Sequence, residues 1–148
     1  MSESNDSTWL AQPSYPSPVI VIIDVANVLG SRPDGWWRDR ASAAARLLDR
    51  LAALPGAEVT DPDGHPARID RLIAVLEGTA RAVPAPAPAA LEVVLAEHDG
   101  DAAIVVLAEE LPADATVMVV TADRGLRRRL PPGTVAVGPN WLNRLVGR

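Results

Sequence analysis

Val19 to Ile23 is an unbroken run of five β-branched apolar residues, and it stops at Asp24. A segment apolar on both faces is the pattern of a central strand in a parallel sheet, covered by helices on either side. The first predicted strand is therefore Val19 to Asp24. Val25 to Gly35, with Gly30, Pro33 and Gly35, reads as a loop. Helical spacing takes over from Trp36 to Leu54, where Ala44, Leu47, Leu48, Leu51 and Leu54 form one stripe. Pro55-Gly56 ends it, and Asp61-Pro62-Asp63-Gly64 is a turn signal. Ile69 to Glu77 and Leu91 to Ala96 are the second and third predicted strands. Between them, Pro84, Pro86 and Pro88 alternate with alanine. Each proline removes a donor and bars the preceding residue from helical geometry, so Ala82 to Ala90 should hold no regular helix. Asp101 to Leu111 carries Ile104, Leu107, Ala108 and Leu111 at helical spacing, with Asp101 at its start. A fourth strand, Ala115 to Thr121, leads to a short helix, Arg124 to Leu130. Thr134 to Val137 is the fifth strand, and Pro139 to Val146 a last short helix opened by proline.

Strands and helices mostly alternate, which predicts an α/β fold: three layers around a largely parallel sheet of about five strands. The length of 148 residues suits one domain. Residues 1–18 are polar and proline-bearing and read as a disordered lead-in, with the domain at 19–148. No apolar stretch reaches membrane-spanning length, and the N-terminus lacks the basic-then-apolar order of a signal peptide. A soluble cytoplasmic protein with no membrane partner is expected. Gly30, Gly35 and Gly100 match neither dinucleotide nor Walker spacings, which argues against a nucleotide cofactor.

Two strands deliver an aspartate at the same kind of place. Asp24 ends the first, and Asp123 follows the fourth. In open parallel sheets ligands bind beyond the carboxyl ends of the strands. With no cysteine and only two histidines, any metal here would be hard and oxygen-ligated. The net charge of −5 argues against a surface that coats nucleic acid broadly. The average hides an asymmetry, because no acidic residue follows Asp123 whereas Arg124, Arg127, Arg128, Arg129, Arg144 and Arg148 do. Carboxylates flanked by guanidiniums are the parts a phosphodiester enzyme needs. A solvated helix face explains the same arginines equally well from charge alone.

Three segments in order carry a family resemblance: Ile23-Asp24-Val25-Ala26-Asn27-Val28-Leu29-Gly30, then Gly100-Asp101-Ala102-Ala103-Ile104-Val105, then Val120-Thr121-Ala122-Asp123-Arg124. With Ser31-Arg32-Pro33-Asp34-Gly35-Trp36-Trp37-Arg38-Asp39-Arg40 they resemble the NYN domain of the PIN-like nuclease superfamily, in its small bacterial RNA-binding branch. The likeness runs from Val19 to about Leu145. It implies a PIN-like, Rossmann-like sheet of order 3-2-1-4-5, whose acids gather at one edge and hold Mg²⁺ or Mn²⁺ for RNA cleavage. Carried over, Asp24, Asp101 and Asp123 are the metal ligands and Asn27 holds a water or a phosphate. Many relatives have glycine where Val25 stands and a second acid where Ala102 stands; Asp99 could compensate for the latter across the turn. A fourth acid near Asp123 is missing, and Arg127 lies there instead. The RNA backbone would be gripped by Arg124, Arg127 and Arg128, with Arg32, Arg38 and Arg40 on the opposite wall.

Other classes fit less well. A phosphatase of the haloacid dehalogenase type needs an acid where Ala26 stands and a lysine, and a response-regulator receiver also needs a lysine; the chain has none. The main rival is a non-catalytic PIN-like module that binds RNA or protein through a degraded site. A homodimer is an open option. Trp36 and Trp37 could stack bases, but covering the core is the simpler role for one of them. His65 reads as solvated and His98 as an incidental neighbour of the acids. Glu77 reads as lying away from the site.

Overall fold

The computed structural model describes residues 15–78 and 91–148. The expectations for most of the lead-in and for the Ala-Pro connector fall outside them. No helix among the described residues is long and apolar enough to cross a membrane.

The apolar run forms the centre of the sheet. Strand β1, Ser17–Asp24, pairs in parallel with β3, Pro66–Leu76, on one side and with β5, Val117–Val120, on the other. It begins two residues before the expected start, inside the stretch read as lead-in. Strand β4, Glu92–Leu95, lies parallel to the last residues of β3, and β6, Val135–Val137, lies parallel to β5. The five expected strands therefore stand in the order β4-β3-β1-β5-β6, the order 3-2-1-4-5 implied by the resemblance.

The sheet also has a strand that the pattern did not announce. Strand β2, Glu58–Thr60, runs antiparallel to Pro66–Arg68 at the start of β3. The turn chemistry explains it. Asp61 Oδ1 accepts from the backbone N–H groups of Asp63 and His65, and Gly64 takes φ +89°, so the chain doubles back. Three residues were too few for a periodic signal.

Alternate strand residues feed two cores. Val21, Ile23, Leu72, Leu76, Met118 and Val120 point to one face, and Ile22, Ile73, Val75, Val117 and Val119 to the other. Helices α1 (Val25–Gly30), α2 (Arg40–Leu51) and α5 (Pro139–Leu145) cover the first face. The second is covered by α3 (Gly100–Glu110) and α4 (Arg124–Arg129). This is the expected three-layer α/β fold.

Helix boundaries differ from expectation at two places. The segment 25–30 is a helix, not a loop: Asp24 Oδ1 accepts from Asn27 N as its N-cap, and Val25, Val28 and Leu29 are buried at i, i+3, i+4. The predicted helix from Trp36 to Leu54 is a 3₁₀ turn, Trp36–Arg38, followed by α2. Asp39 makes the break. Its carboxylate accepts from Ser42 N at 3.0 Å and from Ser42 Oγ at 2.8 Å, which starts a new helix there. Ala44, Leu47, Leu48 and Leu51 form the buried stripe as expected. Trp141 is core, and its Nε1–H donates to Thr60 O at 2.9 Å, tying α5 to β2.

Energy in this fold lies in the cores rather than on the surface. Leu47→Ala should lower the unfolding free energy by about 2–5 kcal/mol through the cavity it leaves. Arg71→Ala removes a bidentate but exposed pair with Glu92 and should cost about 1 kcal/mol or less. Urea unfolding of the two variants measures the contrast, and equal losses would contradict it.

Candidate functional site

Parallel pairing sets the ends of β1, β3 and β5 on one edge. Asp24 pairs with Val75, and Ile23 with Val120, so the residues just beyond β3 and β5 emerge beside Asp24. Those residues are Glu77 and the segment Thr121-Ala122-Asp123. The start of α3 adds Asp101. Asp24, Ala26, Asn27, Glu77, Asp101 and Asp123 line one open depression of about 220 Å³.

Three of the four acids in this depression also have a structural task. Asp24 caps α1 and, through Oδ2, accepts from the buried Thr121 hydroxyl at 2.9 Å. Thr121 Oγ1 in turn accepts from Asp123 N at 3.1 Å, and Asp123 Oδ1 caps α4 by accepting from Leu126 N at 3.0 Å. Asn27 Oδ1 accepts from Ala122 N at 2.8 Å. The loop after β5 is thus fastened to β1 and α1 at two points. Glu77 Oε2 accepts from Gly100 N at 2.7 Å, which fixes the start of α3 against the end of β3. A Cβ at residue 100 would run into that carboxylate, so the close approach requires glycine.

Burial raises the Asp24 pKa from 3.8 to about 6. The hydrogen bonds from Thr121 and Asn27 oppose the shift, and the charges of Asp101 and Glu77 add to it. Asp101 is also raised, first by burial and then by Asp123, Asp99 and Glu77, with Arg129 pulling the other way.

Other sequence-proposed residues are placed elsewhere. Asp99 is exposed and outside the depression; its Oδ1 accepts from Asp101 N at 2.8 Å and caps α3. Arg124 and Arg128 are exposed on α4. The Arg127 guanidinium turns back to donate two hydrogen bonds to Thr121 O, at 3.1 and 2.8 Å, so it braces the loop. Arg38 lies over the Trp37 ring and Arg40 over the Trp36 ring. Arg32 lines a different cavity.

Glu77, expected to lie away from these residues, lines the depression with them. Its signal was available: a strand placed next to β1 in a parallel sheet must end on the same edge. What was missing was the register that carries β3 two residues past the level of Val75. A second acidic group lies on the β2–β3 turn, where oxygens of Asp61 and Asp63 and a ring nitrogen of His65 come within 4.8 Å of one another and could hold a metal ion. It is the only such triplet among the described residues. The edge carboxylates stand wider apart, as like charges with separate capping partners do.

The donors at the edge are carboxylate and amide oxygens, chemistry that suits a hard divalent cation. The buried Asp24 carboxylate, repelled by Asp101 and Glu77, gains most from such a charge.

No protein-family model and no curated protein matches the chain. A solved structure does. The fold is similar to that of Rae1 (YacP) from Bacillus subtilis. The TM-score is 0.61 at 20% identity, over 87% of this chain and 75% of that one. At that identity the likeness concerns the fold alone.

The raised pKa of Asp24 has a definite sign. Its folded value, about 6, lies above the ordinary 3.8, so the contribution of Asp24 to stability should fall as pH rises between them. Asp24→Asn should remove that slope and stabilise the protein at neutral pH by roughly 2–3 kcal/mol. Thermal melts across the range test this; an unchanged slope in the variant would show that Asp24 is not the group responsible.

Proposed function

We propose that the protein is a metal-dependent ribonuclease that hydrolyses RNA phosphodiester bonds with Mg²⁺ or Mn²⁺. The observation that carries the reading is the buried Asp24 carboxylate facing one depression with Glu77, Asp101, Asp123 and Asn27. The resemblance of the three ordered segments to the NYN domain supports it. So does the fold likeness to Rae1.

Asp24, Asp101 and Asp123 are the proposed metal ligands, and Glu77 supplies the fourth carboxylate that the sequence lacks near Asp123. A bound divalent ion supplies Lewis-acid stabilisation of the phosphate and a water of lowered pKa. Asp24 is oriented for this by the Thr121 hydroxyl and the Asn27 amide, neither of which neutralises it. Asn27 spends its carbonyl on Ala122 N, which leaves its Nδ2 hydrogens to donate to a phosphate oxygen. Arg124 and Arg128, exposed on the helix that Asp123 caps, are the proposed backbone contacts. RNA is the proposed partner.

Purified protein should cleave single-stranded RNA with Mg²⁺ or Mn²⁺ and stop in chelator. Asp24→Asn, Asp101→Asn and Asp123→Asn should each reduce cleavage to background while the fold persists. Arg124→Ala and Arg128→Ala should weaken RNA binding and each lower the slope of log affinity against log salt by about 0.7. RNA binding without cleavage under any divalent ion would replace this reading with a binding module.

A further inference from the structure

A separate cavity, of about 440 Å³, lies between α1, α2 and the C-terminal residues. One wall is apolar, formed by Leu29, Trp36 and Leu47. The other is cationic. Arg32, Arg46 and Arg50 line it, with Asp34 as the one acid in the lining, and among the described residues no carboxylate side chain forms an ion pair with any of these three arginines. Arg148, also on this wall, is paired with Asp34 at 3.4 Å.

Arg32 is the least satisfied of these groups. Its Nη2 donates to Arg148 O at 3.2 Å, while its Nε is buried with no hydrogen-bond partner. Arg50 donates Nη1 to Val146 O at 2.8 Å, which holds the guanidinium at the cavity wall. Arg46 makes no hydrogen bond of its own, and its charge acts only weakly on Asp39. Arg46 and Arg50 are exposed and solvated, so the case for an anion starts from Arg32, whose buried Nε lacks a partner, with the other guanidiniums lining the same cavity.

We propose that this cavity binds a nucleotide bearing a terminal phosphate monoester, with the phosphate among Arg32, Arg46 and Arg50 and the base against the Trp36 wall. A monoester carries close to two negative charges at neutral pH, against one for an internal diester, and so suits a cavity lined by four arginines and one aspartate better. The volume lies within the range of small-ligand sites and suits one nucleotide rather than a passing strand. The position links it to the carboxylate edge. Ala26 and Asn27 at the start of α1 line the edge depression, and Leu29 lines this cavity, so one short helix borders both. A phosphorylated RNA end held here would be anchored across α1 from the carboxylates. That last step rests on the ribonuclease reading; nucleotide binding itself does not.

Titration calorimetry in chelator, where no cleavage occurs, tests the proposal with adenosine 5′-monophosphate, adenosine, inorganic phosphate, and oligoribonucleotides ending in phosphate or hydroxyl at either end. The monophosphate or a phosphorylated oligonucleotide should bind at one site at least about tenfold more tightly than its unphosphorylated counterpart. Preference for the mononucleotide identifies a free ligand, and preference for the oligonucleotide an RNA end. Arg46→Glu, a change at a side chain that holds no part of the fold together, should abolish the preference, and Asp24→Asn should leave it intact. Equal binding of phosphorylated and unphosphorylated forms, binding of inorganic phosphate as tight as that of the nucleotide, or an unaffected Arg46→Glu variant would each overturn it. Loss of RNA cleavage with the preference retained would instead count against the ribonuclease reading alone.

Discussion

The hydrogen bond from the Thr121 hydroxyl to Asp24 Oδ2 joins the two central strands where both would otherwise end in unpaired polar groups. Thr121 is fully buried and Asp24 nearly so. Around this bond the other oxygens are shared out: Asp24 Oδ1 starts α1, Thr121 Oγ1 takes Asp123 N, and Thr121 O takes the Arg127 guanidinium. One buried carboxylate thus sets the exits of β1 and β5 and the entries of α1 and α4. An Asp placed there costs desolvation that an apolar residue or an amide would not. A chain selected only for stability has no reason to keep it, which is why strongly perturbed carboxylates in a cleft point to function.

The edge that Asp24 occupies is a consequence of parallel pairing. Were β3 antiparallel to β1, Glu77 would emerge at the opposite end of the sheet and α3 would have nothing to dock against. Because the pair is parallel, Glu77 emerges two residues beyond the level of Asp24 on the same edge, and its carboxylate clamps Gly100 N, which delivers Asp101. The absence of a side chain at residue 100 is therefore as much a part of the site as the acids are. Repulsion among these acids is held by backbone donors at helix starts, which favour negative charge without cancelling it.

Much of this was legible in the chain. The β-branched run, the stripe of three leucines and Ala44 on α2 and the helix after Asp101 are long enough to carry a period, and they are legible along with the order of five strands. The failures share one cause: the feature was shorter than a period or depended on a partner. Strand β2 has three residues and exists because of an Asp61 turn. Helix α1 has six, and its evidence was a capping aspartate followed by Val25, Val28 and Leu29, a pattern masked by the glycines and prolines just beyond. Asp39 breaks the long helix through Ser42, a local contact that hydrophobic spacing does not register. Glu77 was missed because its place depends on the register of β3 against β1. Arg127, expected at the RNA backbone, also braces the loop through Thr121 O, a bond that charge alone cannot reveal.

Two acidic groups in this protein could attract a cation, and they differ physically. Asp61, Asp63 and His65 come close enough together, yet Asp61 Oδ1 already serves two backbone donors, and the His65 side chain is 74% exposed. Water solvates charges there well, so a cation relieves little. At the sheet edge the carboxylate is desolvated, and burial with its neighbours raises its pKa. A cation there removes a penalty that the fold has already incurred, and the gain from binding is correspondingly larger. Closeness of oxygens measures how ready a site is in its resting geometry. The uncompensated charge measures how strongly it will draw an ion, and on that criterion the wider group at the carboxyl ends of β1, β3 and β5 is the functional one in the proposed reading.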